Sequence, residues 1–359
     1  MTLASTIVEG GIAPNGQPLL DVTDLKMHFR MRKGLFGRRS YDIRAVDGVS
    51  LRVVRGETLG LVGESGCGKT TLGRCIMRVH RPTSGRILFH DDELSHQMGS
   101  VGNSGVDVSG MDQKRLRAYY RSVRMVFQDP FAALNPRMTL LQLISEPLRM
   151  LGMDSRVEIE ARVGSLLGKV GLRTEYMNRY PHAFSGGERQ RVVIARAMAV
   201  DPQLVVADEA VSALDVSVRA QILNLLEDLQ EEHGLAYLFI SHDLSVVEHI
   251  SHRVAVMYLG KIVELGPTDA LYRRPLHPYT EALIAAVPKP DPRRPIDRQR
   301  LLQGDLPDPS NPPSGCAFRT RCRYAQDVCA EQTPPLQEMP SGRYVACHFA
   351  EDLQLVGLH

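Results

Sequence analysis

The stretch Gly63-Glu64-Ser65-Gly66-Cys67-Gly68-Lys69-Thr70-Thr71 contains the pattern G-x-x-x-x-G-K-[ST], in which successive backbone N–H groups cradle a di- or triphosphate. Each residue type has a task there. The glycines let the backbone approach oxygen atoms closely. Lys69 can reach the β- and γ-phosphates, and the Thr70 hydroxyl can ligate Mg²⁺. Glu57-Thr58-Leu59-Gly60-Leu61-Val62 before the loop reads as a buried strand, and the residues from Thr71 to Val79 read as a helix whose N-terminus faces the phosphates. A nucleoside triphosphate is the implied ligand. Two further apolar strands end in groups suited to its hydrolysis. Leu204-Val205-Val206-Ala207 closes on Asp208-Glu209, a carboxylate for Mg²⁺ and another to deprotonate an attacking water. Ala236-Tyr237-Leu238-Phe239-Ile240 closes on Ser241-His242-Asp243, which places an imidazole within reach of the γ-phosphate.

The elements that must position these groups follow from the pattern of the rest. Leu19 to Val22, Leu25 to Phe29, Ile43 to Val46 and Val49 to Val53 read as strands of an antiparallel β-layer, with a basic loop at Arg30 to Arg39. Ile87 to Phe89 is another strand, and Ser95 to Gly110, rich in Gly and Ser, reads as a flexible surface insertion. Val123 to Phe127 forms a strand ending at Gln128, and Asp129-Pro130 breaks it. Helices are expected over Leu140–Leu151, Ser155–Val170, Glu188–Ala199 and Ser217–Glu232, and a hairpin around Gly260. Strands alternating with helices define an α/β core with a largely parallel sheet. Beyond Gly266-Pro267 a run of prolines leaves room for one short helix, near Tyr279 to Ala286, in a loop-rich module.

Composition sets the limits. A formal charge of +2 gives no bulk electrostatic case for nucleic acid. No uncharged apolar run reaches membrane-spanning length. The start of the chain, residues 1–18, lacks a basic and apolar leader and reads as a loose tail, which implies a reducing compartment. Six cysteines matter in that setting. Cys67 and Cys75 lie in the loop and the helix after it and read as packing residues. Cys316, Cys322, Cys329 and Cys347 are spaced C-x5-C-x6-C-x17-C. Their thiolates could hold Zn²⁺ or an iron–sulfur cluster, so the residues alone point to a metal without choosing it.

From Tyr41 to His242 the chain resembles the ATP-binding subunits of ABC transporters. The Walker A loop is Gly63 to Thr70 and the Q-loop residue is Gln128. The signature motif is Ser185-Gly186-Gly187-Glu188, the Walker B strand ends at Asp208, the catalytic glutamate is Glu209, the D-loop is Ser212 to Asp215, and His242 is the switch histidine. Tyr41 falls where that family places an adenine-stacking aromatic. The resemblance implies a P-loop NTPase fold of ABC type, with an antiparallel β-layer and a helical subdomain over about 129–200, inside a domain covering 19–270. It also implies ATP with Mg²⁺ held through Thr70, Gln128 and Asp208, with Lys69, Gln128, Glu209 and His242 as catalytic groups. Ser185, Gly186, Gly187, Glu188 and Asp215 would act on the nucleotide of a partner ATPase, identical or homologous. The signature usually carries Gln where Glu188 stands; that carboxylate must turn away, pair with Arg189 or Arg191, or serve the first helical turn.

Asp129 to Arg137, Val211 to Ser217, His277-Pro278-Tyr279-Thr280, Leu306-Pro307 and the cysteine set resemble the oligopeptide/dipeptide importer branch. That branch implies a C-terminal extension, here 271–359, with a [4Fe–4S] cluster on Cys316, Cys322, Cys329 and Cys347. It further implies two membrane permease subunits, an extracytoplasmic solute-binding protein and a peripheral place on the cytoplasmic face of a bacterial inner membrane. Import of nickel, glutathione or another solute by the same machine is the near alternative. A soluble ABC ATPase or a metal sensor is the distant one.

Overall fold

The computed structural model describes residues 17–33, 39–98, 105–287 and 301–358. Most of the expected N-terminal tail, the tip of the basic loop and several of the C-terminal prolines lie outside those residues. So do residues 99–104 of the Gly/Ser-rich stretch.

The apolar, two-periodic N-terminal text folds as two long strands, β1 (Pro18–Lys33) and β2 (Arg39–Val54). They pair antiparallel from Pro18↔Val54 to Lys33↔Arg39. Asp24, with a φ of 45°, marks the irregularity that makes β1 read as two strands in the sequence. After β3 (Thr58–Val62) and a helix α1 (Lys69–Ile76), β4 (Ser84–Phe89) adds to β1, and β5 (Val106–Asp107) adds to β4. The resulting sheet has the order β2-β1-β4-β5. The expected surface insertion is therefore partly structured. Asp92–Met98 is helical, and Val106 and Val108 are buried in the core under this sheet. Two apolar residues at alternate positions outweigh the glycine and serine around them. A helix over Gln113–Ser122, capped by the Asp112 side chain, has no counterpart in the sequence reading.

The second sheet is largely parallel. With β6 (Val123–Val126), β7 (Leu204–Asp208), β8 (Ala236–Ile240), β9 (Arg253–Tyr258) and β10 (Lys261–Pro267), its neighbours run β10-β9-β3-β8-β7-β6. All pairs from β9 through β3, β8 and β7 to β6 are parallel. Every residue of β3, β7 and β8 is buried, as parallel strands covered on both faces require. A buried ion pair, Arg253 Nη1 to Glu57 Oε1 at 3.0 Å, ties the entry of β3 to β9. Because β3, β8, β7 and β6 are adjacent and parallel, the residues that follow them emerge along one edge.

Three helices, Leu140–Met150, Arg156–Lys169 and Gly186–Met198, form a helical unit around Ile144, Val163, Leu167, Val192 and Ile194. Thr139, Ser155 and Ser185 cap them through their side chains. The long helix Val216–His233 ends at Gly234 and leads into β8. Beyond β10, Pro278–Ala285 is the longest helix among the described residues of the C-terminal part. The chain then returns to the sheet: Tyr344–Val345 pairs antiparallel with Glu264 and Leu265 of β10. Among the described residues no helix is long and apolar enough to cross a membrane.

Candidate nucleotide site

The loop after β3 is set by two glycines. A Cβ on Gly63, at φ +150°, would lie 2.2 Å from the Met257 carbonyl oxygen, and one on Gly68, at φ +110°, would lie 2.0 Å from that of Ala45. No side chain fits either place. β9 and β2 thus press the loop into shape from both sides. Lys69 is buried, and its Nζ donates to the carbonyl oxygens of Gly63 at 2.7 Å and Glu64 at 2.9 Å. Cys67 and Cys75 are buried in the core, as their reading as packing residues expects, and burial pushes both thiols up.

At the end of β7, Asp208 Oδ1 accepts the Thr70 hydroxyl at 3.0 Å. Burial pushes the Asp208 carboxyl up, and the Thr70 hydrogen bond only partly offsets it. A desolvated carboxylate beside a hydroxyl is a hard-oxygen pair of the kind that Mg²⁺ takes. Glu209 follows in the left-handed region at φ 50°, a conformation costing an L-residue about 1–2 kcal/mol. Its amide donates to the Ile240 carbonyl of β8 at 2.9 Å, which helps to hold it there. The carboxylate is gripped from both sides. Gln128 Nε2 donates to Oε2 at 2.7 Å, and His242 Nδ1 lies 3.1 Å from Oε1. Gln128 thereby spends its amide N–H on Glu209 and keeps its amide oxygen as the atom with ligand character.

The signature residues form a second group. Ser185 caps its helix in a reciprocal box with Glu188. Glu188 Oε2 accepts from the Ser185 amide at 2.9 Å and from the Ser185 hydroxyl at 2.8 Å, while the Glu188 amide donates back to Ser185 Oγ at 3.3 Å. The Ser185 backbone and hydroxyl donors hold the Glu188 carboxyl below the usual range. Of the three roles open to Glu188, the first helical turn is the one the structure displays. A Cβ on Gly187 would meet Val218 Cγ1 at 2.4 Å, so the signature helix rests directly on the start of the helix that Asp215 caps. Asp215 Oδ1 accepts from the Val218 amide at 3.0 Å and the Ser217 hydroxyl at 2.8 Å. Among the described residues no hydrogen bond joins this group to the phosphate loop. Tyr41 stands apart as well. It is exposed on β2, four residues before Ala45, whose carbonyl backs Gly68.

Three contacts were invisible in the sequence. Arg219 of the long helix donates to Asp243 Oδ2 at 2.8 Å, linking the D-loop helix to the residue after His242. Arg321 grips Glu64 of the phosphate loop, and the Glu64 amide donates to the Tyr279 hydroxyl. Their partners lie far apart in the chain, and no local pattern marks them.

The expected metal centre is not supported. Among the described residues no group of three or more His, Cys, Asp or Glu side chains is gathered so that it could hold a metal ion. Cys316, Cys322, Cys329 and Cys347 instead line one small cavity with His277, Phe318 and Phe349. Burial pushes the Cys322 thiol up to about 12 and the Cys347 thiol up to about 11.

A phosphate loop, a carboxylate pair and a histidine on one edge of a parallel sheet, with an antiparallel layer and a helical unit, define an ATP-binding cassette of the P-loop class. The ABC transporter family model matches residues 46–212, and that of the oligopeptide/dipeptide transporter C-terminal region matches residues 263–329. The oligopeptide transport ATP-binding protein AppF of Bacillus subtilis is 51% identical over 339 residues, covering 94% of this chain and 99% of AppF. The probable peptide ABC transporter ATP-binding protein y4tS of Sinorhizobium fredii is 54% identical over 330 residues, covering 92% and 89%. Among solved structures, the dimeric ATP-binding cassette MJ0796 bound to ADP and Pi superposes with a TM-score of 0.59 at 26% identity, over 70% of this chain and 99% of that one. The chain belongs to the ATP-binding subunits of ABC transporters, in the oligopeptide/dipeptide branch, and its activity is ATP hydrolysis coupled to transport.

Proposed function

We propose that this subunit powers the import of di- and oligopeptides through two membrane permease subunits, fed by an extracytoplasmic solute-binding protein. It works from the cytoplasmic face of a bacterial inner membrane. The observation that carries the ATPase side is the contact of Gln128, Glu209 and His242 beside the Thr70–Asp208 pair. The peptide side rests on the relatives named above.

In this reading the Gly63–Thr71 backbone cradles the phosphates and Lys69 turns from the Gly63 and Glu64 carbonyls to the β- and γ-oxygens. Thr70 and Asp208, with the Gln128 oxygen, would hold Mg²⁺, which when bound offsets negative charge on the phosphate oxygens. Glu209 orients a water and takes its proton, and His242 fixes the Glu209 carboxylate for that step. Tyr41 offers its ring to the adenine. Ser185, Gly187 and Asp215 reach the nucleotide of a second ATPase subunit, so two subunits close head to tail on two ATP molecules and part after hydrolysis. The test is reconstitution of the full chain with its permease subunits in liposomes. Peptide-loaded binding protein should stimulate ATP hydrolysis; stimulation by nickel or glutathione and not by peptides moves the assignment to the alternative solute.

We further infer that the four cysteines hold a [4Fe–4S] cluster of structural role. What supports this reading is that the four cysteines line one cavity and that the oligopeptide/dipeptide transporter C-terminal family model reaches Cys316, Cys322 and Cys329. Anaerobically purified protein should absorb broadly in the visible, and a colourless protein containing zinc overturns this.

A further inference from the structure

Glu64, the second residue of the phosphate loop, is held at three points. Its carbonyl accepts Lys69 Nζ, its amide donates to the Tyr279 hydroxyl at 2.8 Å, and its carboxylate takes both arms of Arg321. Arg321 Nη1 donates to Oε2 at 2.6 Å and Nη2 to Oε1 at 2.9 Å. A two-pronged, charge-assisted pair of this kind fixes both position and orientation. Two of the three partners belong to the C-terminal extension. Arg321 sits beside Cys322, its side chain is 5% exposed, and two more of its donors are fixed on the Gln303 and Gly304 carbonyls at 2.9 Å each. Tyr279 is fully buried, and its ring packs against Tyr258 at 4.7 Å and against Phe318, from the same cysteine segment, at 5.4 Å. Leu306 of the extension also faces Gly66.

A guanidinium this buried has its geometry set by its surroundings, so it presents a rigid fork to the loop. The backbone N–H groups of such a loop bind phosphate only when they already point inward, and ordering them on binding costs affinity. We propose that Arg321, acting through Glu64, is a positioning residue for the phosphate loop, by which the cysteine segment of the extension sets the affinity for ATP. Arg321 does not touch the reacting atoms in this scheme. It holds the first turn of the loop in its binding shape.

The inference deepens the ATP-site reading and rests on it. The test measures the Kd for Mg·ATP of the full chain, wild type against R321M, R321K, E64Q and the R321M/E64Q double variant, with K69A alongside and melting temperature recorded for each. Expected are a roughly tenfold rise in Kd for R321M and for E64Q, a smaller rise for R321K, and a double variant within twofold of the single ones, since both remove the same contact. For R321M, whose side chain lies outside the nucleotide-binding loop, steady-state KM for ATP should rise while kcat at saturation stays within about twofold. A lowered melting temperature with an unchanged Kd makes Arg321 a structural staple only and overturns the proposal. So does a double variant that multiplies the two effects. Should R321M fail to fold, E64Q keeps the Arg321 contacts to Gln303 and Gly304 and decides the matter alone. Equal ATP binding by wild type and K69A would instead sink the reading of the loop itself.

Discussion

Gln128 Nε2 donates to Glu209 Oε2 across 2.7 Å, joining the end of β6 to the end of β7. In the proposed reading the bond crosses the edge on which water and γ-phosphate meet. It leaves Oε1 facing His242 at 3.1 Å, so the orientation of the Glu209 carboxylate is fixed before any reaction. In its proposed role as general base, a Glu209 held in one orientation loses little entropy in reaching the transition state.

Glu209→Gln keeps the shape and both contacts but cannot take a proton. ATP affinity should stay within about threefold and hydrolysis should fall by about 10²–10⁴-fold, the usual worth of a general base. Nucleotide binding and single-turnover phosphate release on the same sample check it. Turnover at the wild-type rate removes Glu209 from the role.

Asp208 and Thr70 stand 3.0 Å apart on two different elements, with Asp208 desolvated. Asp208→Asn keeps the hydrogen bond and removes the charge. Hydrolysis at saturating Mg²⁺ should fall at least about 100-fold, because several kcal/mol of charge stabilisation go with the carboxylate. A Mg²⁺ titration that gives wild-type rates and midpoint in the variant contradicts the assignment.

That Gly63, Asp208 and His242 gather along one edge was legible for a physical reason. β7 and β8 are apolar runs closed by Asp208-Glu209 and Ser241-His242, β3 runs straight into the phosphate loop, and parallel pairing of these strands forces their ends to one side. The helix caps at Thr139, Ser155 and Ser185 are local, and the sequence places those helices to within a residue or two. The helix Gln113–Ser122 escaped because only Leu116 and Tyr119 of its ten residues are buried, too few to show a period. β5 escaped because two residues make no pattern. Arg321 and Glu64 are separated by 257 positions, and a contact closed by tertiary folding has no local signature.

Asp21 is buried in the β-layer, with Arg52 Nε at 2.6 Å and His90 Nε2 at 2.9 Å from its two oxygens. Burial works to raise its carboxyl, but the His90 and Arg52 contacts prevail and hold it below the usual range. A carboxyl depressed on folding contributes stability that is complete above the unfolded value, about pH 4, and drains away as pH falls through the folded one. Asp21→Asn should therefore cost about 2 kcal/mol at pH 7 and progressively less below pH 4. Denaturant midpoints at pH 7 and pH 3.5 test this, and a gap that widens in acid contradicts it.

The Ser185 hydroxyl has one proton, and it points at Glu188 Oε2, 2.8 Å away. In the proposed head-to-tail pair, a γ-phosphate brought by the facing subunit must win that proton from a carboxylate and tolerate the negative charge beside it. Hydrogen bonds to a charged acceptor are about twice as strong as those to a neutral one. Glu188→Gln keeps a side-chain oxygen to accept from Ser185 but weakens its hold and removes the charge. ATPase activity of the assembled transporter should rise severalfold or its KM for ATP should fall, while the helix loses no more than a few tenths of a kcal/mol from its first turn. Steady-state kinetics beside a melting curve separate the two effects. Activity that drops in the variant would show that the carboxylate serves the composite site, and the Ser185–Glu188 box could then no longer be read as a restraint on it.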